Sequence, residues 1–337
     1  MIREALLYEK ERENRVRCGL CAHRCRIDPG RRGLCGVREN REGTLFSLIF
    51  GTVLAENVDP IEKKPFFHFL PGSRSFSIAA AGCNFRCSFC QNHEISQMPR
   101  EQGRIAGRER TATEIVAQAV RSGSKSIAYT YTEPTVFLEF ILETAEMAKE
   151  KGLKNVFVTN GYMTPEALSR MAPCLDAANV DLKSFRDRFY REQCGARLEP
   201  VLDTLKRMKH LGVWVEVTTL LIPGLNDGEE ELHELAAFVA SLGKETPWHV
   251  SRFHPQYHMT RTPPTPAAAI QRAAQIGRSA GLKYLYSGNL PGDAGENTNC
   301  ARCGRLLIGR WGFSIECLEL NGSVCPGCGT ALEGIFE

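Results

Sequence analysis

The sequence predicts an α/β fold, with parallel strands joined by crossover helices and a cysteine-rich segment at each end. Three observations predict it. Short β-rich runs alternate with amphipathic stretches through the middle of the chain. The 337 residues, 43% of them hydrophobic, suffice for one large core of roughly 200 residues with smaller appendages. Eleven of the 14 cysteines fall into three groups, two of which flank that core. The organisation expected is a Cys-rich segment over 1–70, a core over 71–292 and a ribbon-like tail over 293–337.

Forty-two Lys and Arg against 39 Asp and Glu leave a net charge of +3, so no global basic field argues for nucleic acid or an anionic membrane. No stretch approaches the ~18 apolar residues of a membrane span. The first 17 residues lack the apolar core of a signal peptide. A cytoplasmic protein with no membrane partner is expected. In a reducing compartment, clustered thiols point to iron or zinc rather than to disulfides.

Taken in order, the first group is Cys18-x2-Cys21-x3-Cys25-x9-Cys35. Four thiolates over so short a span could close on one zinc ion or one iron–sulfur cluster, or pack as reduced thiols; the spacing leaves all three open. His23 reads as a solvated loop residue, with metal ligation the alternative. The stretch 60–70 reads as a packed linker, although His68 between Phe67 and Phe69 could line a substrate mouth.

A buried strand over 75–80 then leads through Gly82 into Cys83-Asn84-Phe85-Arg86-Cys87-Ser88-Phe89-Cys90. Three thiolates from one loop can hold three irons of a [4Fe-4S] cube and leave the fourth iron without a protein ligand. Zinc completed by His93 is the alternative. Further strands are expected over 127–130, 156–159, 178–182, 214–221, 249–253 and 284–286, with helices over 136–150, 165–172, 200–211, 229–241 and 266–280. Barrel topology gathers functional residues at the carboxyl ends of such strands. There the chain places Thr132-Glu133-Pro134, Thr159-Asn160-Gly161, Asp181-Leu182-Lys183 and Arg252-Phe253-His254-Pro255. Cys174, Cys194 and Cys317 stand apart and read as buried thiols without chemistry.

The tail carries Cys300-x2-Cys303 and, 21 residues on, Cys325-x2-Cys328, with Gly304, Gly327 and Gly329 at the turns. This is zinc-ribbon spacing: four thiolates close a tetrahedral shell, and metal binding supplies the folding energy that a short tail cannot obtain by burial. A rubredoxin-like iron site or free thiols are the alternatives.

At CxxxCxxC the chain resembles the radical S-adenosylmethionine (SAM) superfamily. That resemblance implies a partial (β/α)6 TIM-like barrel of the radical SAM type, a [4Fe-4S] cluster at Cys83, Cys87 and Cys90, and SAM on its open iron. It further implies reductive cleavage to a 5′-deoxyadenosyl radical that abstracts hydrogen from an unidentified substrate, fed by a ferredoxin- or flavodoxin-type donor. Glu133 matches the Glu-Pro of the family's GGEP segment. Thr159, Asn160, Asp181 and Lys183 occupy the places of SAM-binding residues in the branch containing the pyruvate formate-lyase activating enzyme. Glu216, with the Pro223-Gly224-Leu225-Asn226-Asp227 loop, and His254 match further SAM contacts. A plain salt bridge between Asp181 and Lys183, and a turn role for His254, are the alternatives.

The N-terminal cysteines followed by 53–65 resemble the AmmeMemoRadiSam group, which implies Memo-type and AMMECR-type proteins as partners. Glycyl-radical activation, or modification of a peptide or RNA, follows from resemblance alone. Arg302, Arg305 and Arg310 of the tail could present such a polymer or form a solvated basic face. The competing class is a non-catalytic zinc or iron–sulfur binding protein.

Overall fold

Seven parallel strands and one antiparallel edge strand form the central sheet of the computed structural model, which describes residues 1–290 and 292–337. The strands are β1 (Ala55–Pro60), β2 (Arg74–Ala79), β3 (Ser126–Tyr129), β4 (Lys154–Thr159), β5 (Ala177–Asp181), β6 (Trp214–Leu221), β7 (Trp248–Arg252) and β8 (Leu285–Gly288). Their spatial order follows the chain, and β1 and β8 are its two edges. The curved sheet is a barrel left open between them. Between β2 and β8 every strand is followed by a crossover helix: α1 (Ala112–Arg121), α2 (Leu138–Glu150), α3 (Pro165–Met171), α4 (Glu199–His210), α5 (Glu229–Leu242) and α6 (Ala267–Ser279). This confirms the α/β class and the partial barrel, with one addition. The strand expected over 284–286 runs over Leu285–Gly288 and pairs parallel with β7. Residues 55–60, within the segment assigned to the N-terminus, pair antiparallel with β2, Ala55 opposite Ala79.

Local chemistry explains the elements. All four residues of β3 are buried, as expected of a parallel strand covered on both faces. In α4 the buried positions Val201, Thr204, Leu205 and Met208 recur at the spacing of one helical face. Helix α1, absent from the sequence reading, starts at a capping box: Thr111 Oγ1 accepts from the Glu114 N–H and the Glu114 carboxylate accepts from the Thr111 N–H. In register, Tyr129 lies opposite Phe157, Thr159 opposite Val180 and Asp181 opposite Thr218. The carboxyl ends of β3 to β5 therefore share one rim.

The N-terminal segment folds as two small antiparallel sheets, 8–10 with 16–18 and 26–27, and 3–4 with 44–47 and 38–41. A buried Arg38–Glu139 ion pair ties it to α2. The tail contributes β9 (Thr298–Asn299), β10 (Leu306–Trp311) and β11 (Ser314–Leu318). Arg310 does not belong to a solvated basic face. It is 4% exposed, donates to the Phe67 carbonyl at 2.8 Å and lies 4.1 Å over the Phe67 ring, where the cation–π contact is shielded from water. Among the described residues no helix is long and apolar enough to cross a membrane.

His68 is fully buried beside Trp214 and Tyr284. It shares hydrogen bonds with the Glu333 carbonyl and Tyr286 Oη, both at 2.6 Å. It is thus a packed linker residue and lines no substrate mouth. Burial pushes its pKa down to about 4, from 6.5. The unfolded chain therefore takes up this proton at a higher pH than the folded one. His68 contributes a loss of stability that begins near pH 6.5 and grows as pH falls toward about 4, on the order of 3 kcal/mol at most. Denaturant unfolding at a series of pH values should show this decline, and a shallower one in His68→Gln; identical slopes would refute the assignment.

Candidate functional site

The loop after β2 is held from all sides by backbone geometry. Gly82 has φ +98°, and a Cβ there would stand 2.7 Å from Val37 Cγ1 and 3.0 Å from the Cys35 carbonyl oxygen. Only glycine lets the N-terminal segment back the loop so closely. Beyond it, the Arg86 N–H donates to the Cys194 carbonyl and the Ser88 N–H to the Gln193 carbonyl, both at 2.9 Å. The Gln97 amide donates to the Phe85 carbonyl at 3.1 Å, and His23 Nε2 lies 2.8 Å from the Asn84 carbonyl. His23, whose ring also packs on Tyr162 at 4.8 Å, is a tie between two cysteine segments rather than a solvated residue.

Donors face the sulfur atoms. The Phe85 N–H points at Cys83 Sγ at 3.3 Å, Asn160 Nδ2 lies 3.8 Å from the same sulfur, and Ser96 Oγ lies 3.3 Å from Cys90 Sγ. Phe85 and Phe89 are 1% and 4% exposed and shield the loop from water. His93 stacks on Tyr257 with ring centroids 4.4 Å apart and completes no close four-ligand set with the three cysteines.

Asp181 and Lys183 meet beside this loop. Lys183 Nζ donates to Asp181 Oδ2 at 2.9 Å and stands 5.8 Å from the Phe89 ring centroid. Burial opposes its charge, but Asp181, Cys87 and Cys194 outweigh burial and hold the ammonium well above its ordinary range. Cys194, fully buried, is a neighbour of Cys87; that neighbour first, and Lys183 after burial, lower the Cys87 thiol pKa, which burial alone would raise. Tyr190 Oη accepts from the Lys183 N–H at 3.0 Å. Sequence reasoning missed Cys194 and Tyr190. A cysteine more than a hundred residues from the motif carries no local signal of its neighbour.

The other expected contacts divide. Asn160 bonds the Asn84 side chain at 2.7 Å and faces the loop. Thr159 Oγ1 donates to Glu133 Oε1 at 2.7 Å. Glu133 is 2% exposed, and its carboxylate also accepts from the Thr135 N–H and hydroxyl and from the Asn160 N–H. It thus braces the turn after β4 chiefly through Oε1, while Oε2 accepts from the Asn160 N–H alone. Glu216 is a correction. It is fully buried low on β6 and accepts from the Phe67 and His68 N–H groups, Trp214 Nε1 and His249 Nε2. Every oxygen is engaged by the protein, so it belongs to the core. His254 is exposed just past β7.

In the tail, Cys300 and Cys328 lie 3.6 Å apart and Cys303 and Cys325 3.7 Å, with all four sulfurs within 4.8 Å of one another. A tetrahedral ion with bonds of about 2.3 Å sets its thiolates about 3.8 Å apart, so these residues fit one ion and suit a zinc ribbon. Neither the N-terminal four nor the middle three close to single-ion spacing.

Comparison with known proteins gives the following. Residues 77–236 match the model of the Radical SAM superfamily. The uncharacterized protein MJ0808 of Methanocaldococcus jannaschii is 47% identical over 335 residues, covering 98% of this chain and 99% of that one. The pyruvate formate-lyase-activating enzyme of Streptococcus mutans is 25% identical over 195 residues, 55% of this chain and 72% of that one. Streptococcus suis SuiB, solved with S-adenosylmethionine, is 15% identical and superposes with a TM-score of 0.51 over 68% of this chain and 53% of that one, a likeness of fold alone.

Proposed function

The chain belongs to the radical SAM superfamily, and from that membership we propose that Cys83, Cys87 and Cys90 anchor three corners of a [4Fe-4S] cluster beside which Asp181, Lys183 and Asn160 seat SAM. When bound, the cluster and SAM supply a 5′-deoxyadenosyl radical able to take hydrogen from a substrate. The observation that carries this reading is a loop whose three sulfurs do not close together to single-ion spacing, facing a partly buried cation already paired to a carboxylate.

Each residue then has a task. The Lys183 ammonium, kept charged by its neighbours, pairs with the SAM carboxylate. Asp181 keeps that ammonium oriented. Asn160 and the Phe85 N–H stabilise charge on Cys83 sulfur, while Cys194 does so for Cys87. Phe85 and Phe89 keep water from the reacting centre. Thr159 and Glu133 fix the turn that aims Asn160. His254 is assigned to the nucleotide end on its place at the same rim.

The likeness to pyruvate formate-lyase activating enzymes supports a second, narrower reading, that the hydrogen comes from a protein glycine. A ferredoxin- or flavodoxin-type protein is the electron donor proposed, and zinc the ion in the tail.

Anaerobic reconstitution should give a brown protein that, with dithionite and SAM, releases 5′-deoxyadenosine. A colourless protein holding zinc at the middle cysteines would sink the proposal and leave a non-catalytic metal protein. Deuterium transfer from a labelled candidate substrate into 5′-deoxyadenosine would identify the hydrogen donor.

A further inference from the structure

We propose that Cys18, Cys21, Cys25 and Cys35 hold a second iron–sulfur cluster, ligated by protein at every corner. All four side chains line one cavity, and Leu20, Ile27, Leu34 and Val136 fill the wall between them. Such a setting suits a metal–sulfur core that water must not reach. The backbone closes the loop of ligands on itself, with the Cys18 N–H donating to the Cys25 carbonyl at 2.9 Å.

Spacing decides between an ion and a cluster. The tail shows that this chain brings four sulfurs within 4.8 Å where one ion suffices. The N-terminal four converge on a shared cavity but, like the middle three, do not all come within that distance of one another. A cluster holds its thiolates further apart than a single ion because the irons and sulfides stand between them. This comparison rests on the catalytic reading of the middle set.

Arg38 adds an independent observation. Its side chain is 1% exposed, Nη1 lies 3.7 Å from Cys18 Sγ, and Nε has no hydrogen-bond partner among the described residues. A guanidinium is costly to bury unless anionic charge surrounds it, and a thiolate-ligated cluster supplies that charge beside Glu139. The centre adjoins the catalytic loop, since the Cys35 carbonyl packs against Gly82 and His23 reaches Asn84. With four protein ligands it leaves no open iron for SAM.

The test uses the full chain with Cys83→Ala, Cys87→Ala and Cys90→Ala combined, reconstituted anaerobically with ferrous iron and sulfide. We expect it to retain iron, acid-labile sulfide and a brown colour bleached by dithionite, and to cleave no SAM. Adding Cys21→Ser and Cys35→Ser should remove the remaining iron. An iron-free triple variant carrying zinc at both ends, or at the tail alone, overturns the second cluster. Should the triple variant fail to fold, Cys21→Ser with Cys35→Ser in the natural chain decides: iron falling by about half supports the proposal, and unchanged iron overturns it. If the natural chain and the triple variant carry equal iron, the catalytic reading fails while the second cluster stands.

Discussion

Replacing Cys87 with alanine is expected to reduce 5′-deoxyadenosine release to the level without enzyme, and to remove about four irons per chain. Cys87 is the most buried of the three loop cysteines, and no other sulfur on the loop can take its corner. The informative control is Cys194→Ala. Cys194 is buried, and its carbonyl accepts from the Arg86 N–H next to Cys87, yet it is assigned no iron. That variant should keep its iron and cleave SAM more slowly, because it loses only a polar neighbour of the cluster ligand, an effect on the order of 1 kcal/mol. If Cys194→Ala instead loses iron as completely as Cys87→Ala, then Cys194 is a fourth ligand, the cluster has no free vertex, and the SAM-cleaving mechanism collapses.

Chelation of the tail metal, or Cys325→Ala, should unfold the region from 298 to 332 while the barrel persists. The sulfurs sit at single-ion spacing, and the ribbon's own apolar core consists of little more than Leu307, Ile308 and Leu332. Structural zinc supplies about 10–16 kcal/mol in small modules of this kind, more than such a core provides. The tail also covers Phe67, Tyr284 and Tyr286, and Arg310 and Glu333 leave the barrel if it detaches. Limited proteolysis should therefore cut the variant within the tail, and aggregation should rise as those aromatic residues are uncovered. SAM cleavage per folded molecule should fall far less than in Cys87→Ala. Equal, complete loss of cleavage in well-folded forms of both variants would mean that the structural and catalytic cysteines have been interchanged.

The two variants also show where local pattern suffices. The loop cysteines and the tail cysteines are close in sequence, and ligands supplied by one turn or one pair of turns must be neighbours in space. That each group gathers in one place could therefore be read from spacing alone. Helix positions were equally legible where apolar residues recur on one face, as in α4. Helix α1 carries its own local signal in the capping residues Thr111 and Glu114.

Glu216 and Arg310 mark the limit. Both looked like ligand or surface residues because of their charge and their place in a motif. Glu216 instead accepts from a segment almost 150 residues away, and Arg310 lies over an aromatic ring more than 240 positions earlier in the chain. A buried charge is stable only with partners, and those partners come from other strands.

The sequence by itself determined the α/β class, the three cysteine groups and the residues along one rim of the barrel, since each follows from spacing within a few turns of chain. Tertiary structure alone decided that Cys194 stands beside the Cys83–Cys90 loop, that Glu216 spends its oxygens on the protein, and that the N-terminal cysteines line a single cavity backed against that loop. Those facts depend on which distant segments share a wall, and closing the barrel is the step that chooses them.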